Sequence, residues 1–321
     1  MRWVRYTAKG DAAGLPRLGI VRADGVIDLS RAYARYCGAG GVEDEKIAAL
    51  LVTGSLAQWI RCAQASAFAA WLPAHTQTAE LAWDTVRLHA PLNDPMRFIG
   101  IGLNYRAHAR EIGQEDPVSP PLFAKWNSCI SGPEDPIVRP RGCGALDYEG
   151  ELGVIMGRTV RDVSAKEALD AVFGYTIIND VSARDWQFRT SQWLAGKVAD
   201  GFAPMGPAVV GREEIPDPQA LAVRTWVNGE LRQDGSTSDM IFDVATLISI
   251  LSTLTTLEAG DVIATGTPAG VGMSARPARY LKPGDHVRIE IAGIGAIANT
   301  VADAGDRSLR ARHKGDYIEE E

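Results

Sequence analysis

Two glutamates stand two residues apart in the run Asp147-Tyr148-Glu149-Gly150-Glu151-Leu152, which leads into an apolar stretch ending at Met156. On a strand, residues two apart project to the same face, so Glu149 and Glu151 would lie side by side. Carboxylates so placed repel unless a cation or a proton sits between them. A solvated acidic strand face is the competing reading. A third acid, Asp180, follows Ile177-Ile178-Asn179 and opens the polar cluster Val181-Ser182-Ala183-Arg184-Asp185. An acid at a strand end can complete an all-oxygen shell with the two glutamates, a donor set that suits Mg2+, Mn2+ or Ca2+ better than zinc. Capping the next helix is its alternative role. Asp185 is read as pairing with Arg184 or capping a turn.

A second group is Gly100-Ile101-Gly102-Leu103-Asn104-Tyr105-Arg106-Ala107-His108-Ala109-Arg110-Glu111. On a helix His108 and Glu111, three apart, share a face, so Glu111 can orient His108 and stabilise its charge as a general base. A surface ion pair is the alternative. The other histidines, His75, His89, His286 and His313, have no comparable setting. A third group, Gly260 to Gly272, reads as a strand running into a glycine-rich loop whose amides can bind a carboxylate or oxyanion. It lacks the Gly-Lys-Ser/Thr ending of a P-loop, and a structural turn explains the glycines equally well.

These side chains need elements to hold them. Short Val/Ile-rich runs separated by Gly, Pro and Asp predict strands near 97–101, 151–156, 172–178, 222–227, 262–265 and 286–291. That spacing implies a mainly β domain with some α, folded as a sandwich or roll. One helix is expected over 242–257, with Gly260 shortly beyond its end. Residues 1–92 read as a small α+β domain, a meander followed by two short helices within 43–71. Pro91 to Pro95 then forms a linker, residues 95–304 form the catalytic domain, and 305–321 a loosely held charged tail. Trp126, Trp186 and Phe202 are expected in the core.

Composition narrows the function. Of 321 residues 33 are basic and 40 acidic, a formal charge of -7, with no dense basic block, which excludes nucleic acid as the expected partner. No apolar run is long enough for a membrane span, and the start of the chain lacks a signal-peptide core, so a cytoplasmic protein is expected. Cys37, Cys62, Cys129 and Cys143 show no C-x-x-C spacing and read as reduced thiols.

From Phe98 to Val301 the chain resembles the fumarylacetoacetate hydrolase family. The matching stretches are Gly102 to Glu111, Asp147 to Leu152, Asn179 to Asp185, Val227 to Arg232 and Gly260 to Pro268. The resemblance implies a mixed β-sandwich roll, a smaller N-terminal domain and a homodimer. It implies Glu149, Glu151 and Asp180 as ligands of Mg2+ or a similar ion, and His108 with Glu111 as a catalytic dyad on a mobile lid. It further implies Lys197 as an active-site lysine, Gln187 as a polar residue near substrate and Thr267 in the loop lining the pocket. Arg106 is a candidate for receiving an anionic substrate, or else an exposed surface arginine. Gly201 departs from the pattern, because many relatives have Thr there.

The implied activity is hydrolysis of a C–C bond in a small 1,3-diketo acid of the fumarylacetoacetate, fumarylpyruvate or acylpyruvate type, through a metal-stabilised enolate, in aromatic or oxo-acid catabolism. The alternative is isomerisation or decarboxylation of an unsaturated 2-oxo or 2-hydroxy diacid, of the 5-carboxymethyl-2-hydroxymuconate isomerase or oxaloacetate decarboxylase type. A binding protein without turnover would lack His108 or Lys197. A non-haem iron oxygenase would need two histidine ligands, and no second histidine accompanies His108.

Overall fold

All seven residues of Gly150–Met156 are buried, because this strand lies inside a sheet covered on both faces. The computed structural model describes residues 1–11, 14–62 and 65–305. The charged tail expected at 305–321, Gly305 apart, and with it His313, lies outside them.

The N-terminal strands are β1 (Arg2–Ala8), β2 (Arg17–Arg22), β3 (Gly25–Asp28), β4 (Leu81–Ala82) and β5 (Val86–His89). Then come β6 (Phe98–Ile101), β7 (Leu122–Ala124), β8 (Ile130–Ser131), β9 (Ile137–Arg139), β10 (Leu146–Asp147), β11 (Gly150–Met156) and β12 (Val172–Asn179). The remainder are β13 (Ser182–Ala183), β14 (Ala203–Gly211), β15 (Ala222–Val227), β16 (Glu230–Ser236), β17 (Val262–Ala264), β18 (His286–Ile291) and β19 (Gly295–Asp303).

A 12-stranded sheet runs β4-β3-β2-β1-β14-β12-β11-β17-β6-β7, with β5 on β1 and β8 on β14. A 5-stranded sheet runs β16-β15-β18-β19-β9. The pairing is mixed, since β6 with β17, β8 with β14 and β9 with β19 are parallel. One core lies between the two sheets, where Leu152, Val154 and Ile177 meet Val223, Ile289 and Ile297. The mainly β fold with inserted helices is therefore what the strand spacing predicted. A second core lies on the opposite face of the long sheet, where Ile155, Ile178, Val209 and Val262 join Trp3, Leu18, Ile20 and the N-terminal helices. The N-terminal strands thus extend the catalytic sheet, through β1 against β14 with Trp3 opposite Val209.

The helices depart from expectation in places. Helix α1 (Leu29–Gly38), which is not among the expected elements, is capped by Asp28, whose carboxylate accepts from the Arg31 amide. Three helices rather than two occupy the next stretch: α2 (Glu45–Thr53), α3 (Leu56–Arg61) and α4 (Ala65–His75). Gly54, at φ 62°, ends α2, and the Ser55 hydroxyl starts α3 by accepting from Gln58. Short helices α5 (Arg106–Glu111), α6 (Ala165–Ala168) and α7 (Arg184–Gln187) precede α8 (Val244–Leu254), which starts at its Asp243 cap and stops short of Leu257. Gly260, at φ 86°, turns the chain into β17 rather than capping the helix. Phe202 is core and Trp186 half-buried, but Trp126 is 55% exposed at the start of a turn that buries Cys129. Among the described residues no helix is long and apolar enough to cross a membrane.

Candidate active site

Strand register creates the acidic cluster. Gly150 pairs with Asn179, so the next pair outward is Glu149 and Asp180, tied by the Asp180 amide donating to the Glu149 carbonyl at 2.9 Å. Glu151, two residues on, shares the face of Glu149. Oxygens of Glu149, Glu151 and Asp180 lie within 4.8 Å of one another, all three residues buried. Hard oxygen donors at this spacing fit a divalent cation such as Mg2+ or Mn2+. Burial pushes the Glu151 carboxyl well above the usual carboxylate range, and the charges of Asp180 and Glu149 push it further. Glu151 is therefore the member of the triad that most resists ionisation without a metal ion.

Cations brace the cluster from beneath. Lys197 Nζ donates to Glu149 at 2.8 Å and to Asp180 at 2.6 Å. Lys125 Nζ sits 2.7 Å from the other Asp180 oxygen. Arg184 pairs through Nη1 with Glu149 at 2.7 Å and through Nε with Asp147 at 2.9 Å. Burial raises the Glu149 carboxyl, but Lys197 and Arg184 outweigh it and bring its pKa down to about 2. Sequence reasoning assigned no role to Lys125 or Asp147, and read Arg184 only as a partner for Asp185. The β10–β13 ladder aligns Asp147 with Ser182 and so carries it to Arg184. The one available signal was Arg184 and Gln187, three apart and so on one face of α7, where Arg184 Nη1 also donates to Gln187. Asp185 does not pair with Arg184. Its carboxylate accepts from the Gly144 amide at 2.9 Å and braces that turn.

With all four ionised, Asp147, Glu149, Glu151 and Asp180 outnumber Lys125, Arg184 and Lys197 by one negative charge, an excess that a divalent ion would more than offset. Carboxylates and ion alone would have left the site negative.

The dyad is present on α5. His108 is buried, and its Nδ1 lies 3.4 Å from Glu111 Oε2. Burial raises the Glu111 carboxyl, but hydrogen bonds from His108 and the Gly270 amide more than offset this and hold it below its ordinary value. An ionised Glu111 accepts the Nδ1 proton and leaves Nε2 as the basic nitrogen. The α5 segment is anchored by Asn104, which donates to the Thr265 carbonyl at 2.8 Å and exchanges hydrogen bonds with the Phe242 backbone.

The glycine-rich loop does bind carboxylates, all of them the protein's own. Gly266 donates to Glu151, Gly270 to Glu111, and Gly272 and Met273 to Asp147. One loop therefore holds Glu151, Glu111 and Asp147 together. Thr267 donates to the Gly150 carbonyl and accepts from Gln233, which also receives the Gly150 amide.

A cavity of about 230 Å³ is lined by His108, Glu149, Glu151, Arg184, Gln187, Lys197 and Thr267 on its polar side. Arg106 is not brought into it. Its guanidinium donates to the Met240 carbonyl at 2.6 Å and lies 3.5 Å from Asp116. Gly201, at φ 76° with open space around it, contributes no side chain.

The fumarylacetoacetate (FAA) hydrolase C-terminal model matches residues 97–302, which span every residue of this site. The chain belongs to the fumarylacetoacetate hydrolase family. Among solved family structures, fumarylacetoacetate hydrolase from Exiguobacterium antarcticum is 39% identical with a TM-score of 0.75, covering 94% of this chain and 99% of that one. A 5-carboxymethyl-2-hydroxymuconate delta-isomerase from Mycobacterium smegmatis is 32% identical with a TM-score of 0.71, covering 95% and 100%. Maleylpyruvate hydrolase from Sphingobium sp. SYK-6, in complex with manganese(II) and pyruvate, is 30% identical with a TM-score of 0.72, covering 94% and 99%. A manganese-bound family member and the acidic triad together point to a divalent metal in this protein.

Proposed function

We propose that this family member hydrolyses the C3–C4 bond of a 2,4-dioxo acid. The observation that carries the reading is that one cavity is lined by a Glu111-oriented histidine and by Glu149 and Glu151 of the acidic cluster. A divalent ion held by Glu149, Glu151 and Asp180 would supply Lewis acidity at the 2-oxo group. Arg184 lines the same cavity, and its buried Nη2 has no protein partner, so we assign its guanidinium as the donor for the substrate carboxylate. His108 Nε2 takes a proton from water as its oxygen adds to the C4 carbonyl. When the C3–C4 bond breaks, its electron pair passes to C3, and the imidazolium returns the proton there. The products are a carboxylic acid and pyruvate.

The isomerase relative keeps a second reading open, a proton shift without water. Turnover of an acylpyruvate in 18O water with Mn2+ separates the two. Label in the released carboxylic acid is expected, and His108→Ala should lower kcat by about 10²–10⁴-fold. Tautomerisation or CO2 release without labelled acid, or full rate in the histidine variant, would sink the hydrolase reading.

A further inference from the structure

We infer that the acyl end of the substrate is uncharged and apolar, so that the site accepts a 2,4-dioxo monoacid and rejects a diacid; this rests on the hydrolase reading and names the substrate class of the same cavity. Beyond the polar side the cavity is walled by Leu103, Ile112, Phe123, Phe188, Trp193 and Met273, with Gln114 as its polar interruption.

The wall is built into the backbone. A Cβ on Gly100 would stand 2.3 Å from the Phe123 ring, and one on Gly102 would stand 2.2 Å from the Trp193 ring, so β6 and its exit make room for both aromatics. The two rings meet edge to face with centroids 6.3 Å apart. Phe123 also lies 4.9 Å from Lys197 Nζ, so the apolar wall begins directly beside the charged cluster. Leu103 holds φ 49°, a left-handed conformation that glycine or asparagine adopts far more readily than leucine. The Asn104 anchors hold it in place, and the leucine side chain joins the wall.

Charge gives the second, independent line. Among the lining cations, Lys197 is engaged by Glu149 and Asp180, and Arg184 by Asp147 and Glu149, with Nη2 alone left over. That donor, beside a divalent ion held by the acidic cluster, matches one carboxylate. A second carboxylate would lie against this half-buried apolar wall, where no lining cation is left to pair with it, which is disfavoured.

Binding of two uncleavable 2-oxo acids to the Mn2+-loaded protein tests this by calorimetry. Neither 2-oxo-4-phenylbutanoate nor 2-oxoadipate has a second ketone, so affinity is read without turnover. The phenyl compound is expected to bind at least about tenfold more tightly. Ile112→Arg, which adds a cation at a half-buried wall position, should strengthen 2-oxoadipate binding by about tenfold. Equal or tighter binding of the diacid to the wild type would overturn the inference and leave the hydrolase reading standing. Failure of both acids to bind would overturn the two together.

Discussion

At the residue scale, the decisive feature is that Glu151 is the uncompensated member of the triad. Glu149 has Lys197 and Arg184, and Asp180 has Lys197 and Lys125, whereas Glu151 accepts a single backbone hydrogen bond from Gly266. Its carboxyl therefore holds a proton above the usual carboxylate range in the metal-free protein. An acid whose folded pKa is raised lowers stability as pH rises from its unfolded value, about 4.3, through the folded one. A metal ion removes that penalty by displacing the proton. Calorimetric Mn2+ titrations in buffers of different ionisation enthalpy should show up to about one proton released, and the gain in melting temperature from Mn2+ should grow across that window. Glu151→Gln should abolish the proton release and weaken Mn2+ binding on the order of 10–100-fold. Release that persists undiminished in this variant would place the proton on another group.

At the element scale, the loop after β17 works as a clamp. Gly270 donates its amide to Glu111 at φ 105°, and a Cβ there would lie 1.9 Å from the Arg232 carbonyl oxygen. Gly270→Ala combines a left-handed strain with a backbone collision, at a cost of about 1–3 kcal/mol or more. It should lower the melting temperature and reduce kcat by freeing Glu111, whereas Gly284→Ala, also at positive φ but with open space around it, should cost less and leave kcat alone. Equal effects from the two would argue against a clamp. The same loop marks where sequence reading ended. Local pattern was enough for Glu149, Glu151 and the His108–Glu111 spacing, because each is set by the period of one strand or helix. Asp180 and His108 were also read from local pattern, each beside an alternative, a helix cap or a surface ion pair, that the order of motifs along the chain weighed against. Lys125, Asp147 and Arg184 were not legible, since their roles arise where β10 meets β13 and where the segment after β7 passes under Asp180. The capping signal for α1, Asp28 followed by Arg31, was present but was masked by the strand pattern running into it. Arg106 looked like an anion receptor because it neighbours the dyad, yet in a helix two residues along point elsewhere, here to the Met240 carbonyl.

At the scale of the whole molecule, the N-terminal segment and the catalytic sheet share one apolar core. Trp3 on β1 is 4% exposed, faces Trp59 of α3 at 5.6 Å and Phe173 of β12 at 5.8 Å, and its strand pairs with β14. Ile155, Ile178, Met205, Val209 and Val262, all from strands of the catalytic sheet, bury their side chains in that core. Removing the segment would expose this face, so the catalytic strands depend on it for their own burial. Both parts should therefore unfold together, with tryptophan fluorescence, far-UV circular dichroism and loss of activity tracing one transition in urea. Trp3→Ala, which leaves a cavity between β1, α3 and β12, should cost about 3–5 kcal/mol. It should shift the midpoint of all three signals equally, although Trp3 lies outside the lining of the catalytic cavity. An N-terminal transition that moves while the activity transition stays fixed would show instead that the two parts fold as separate units joined only by strand pairing.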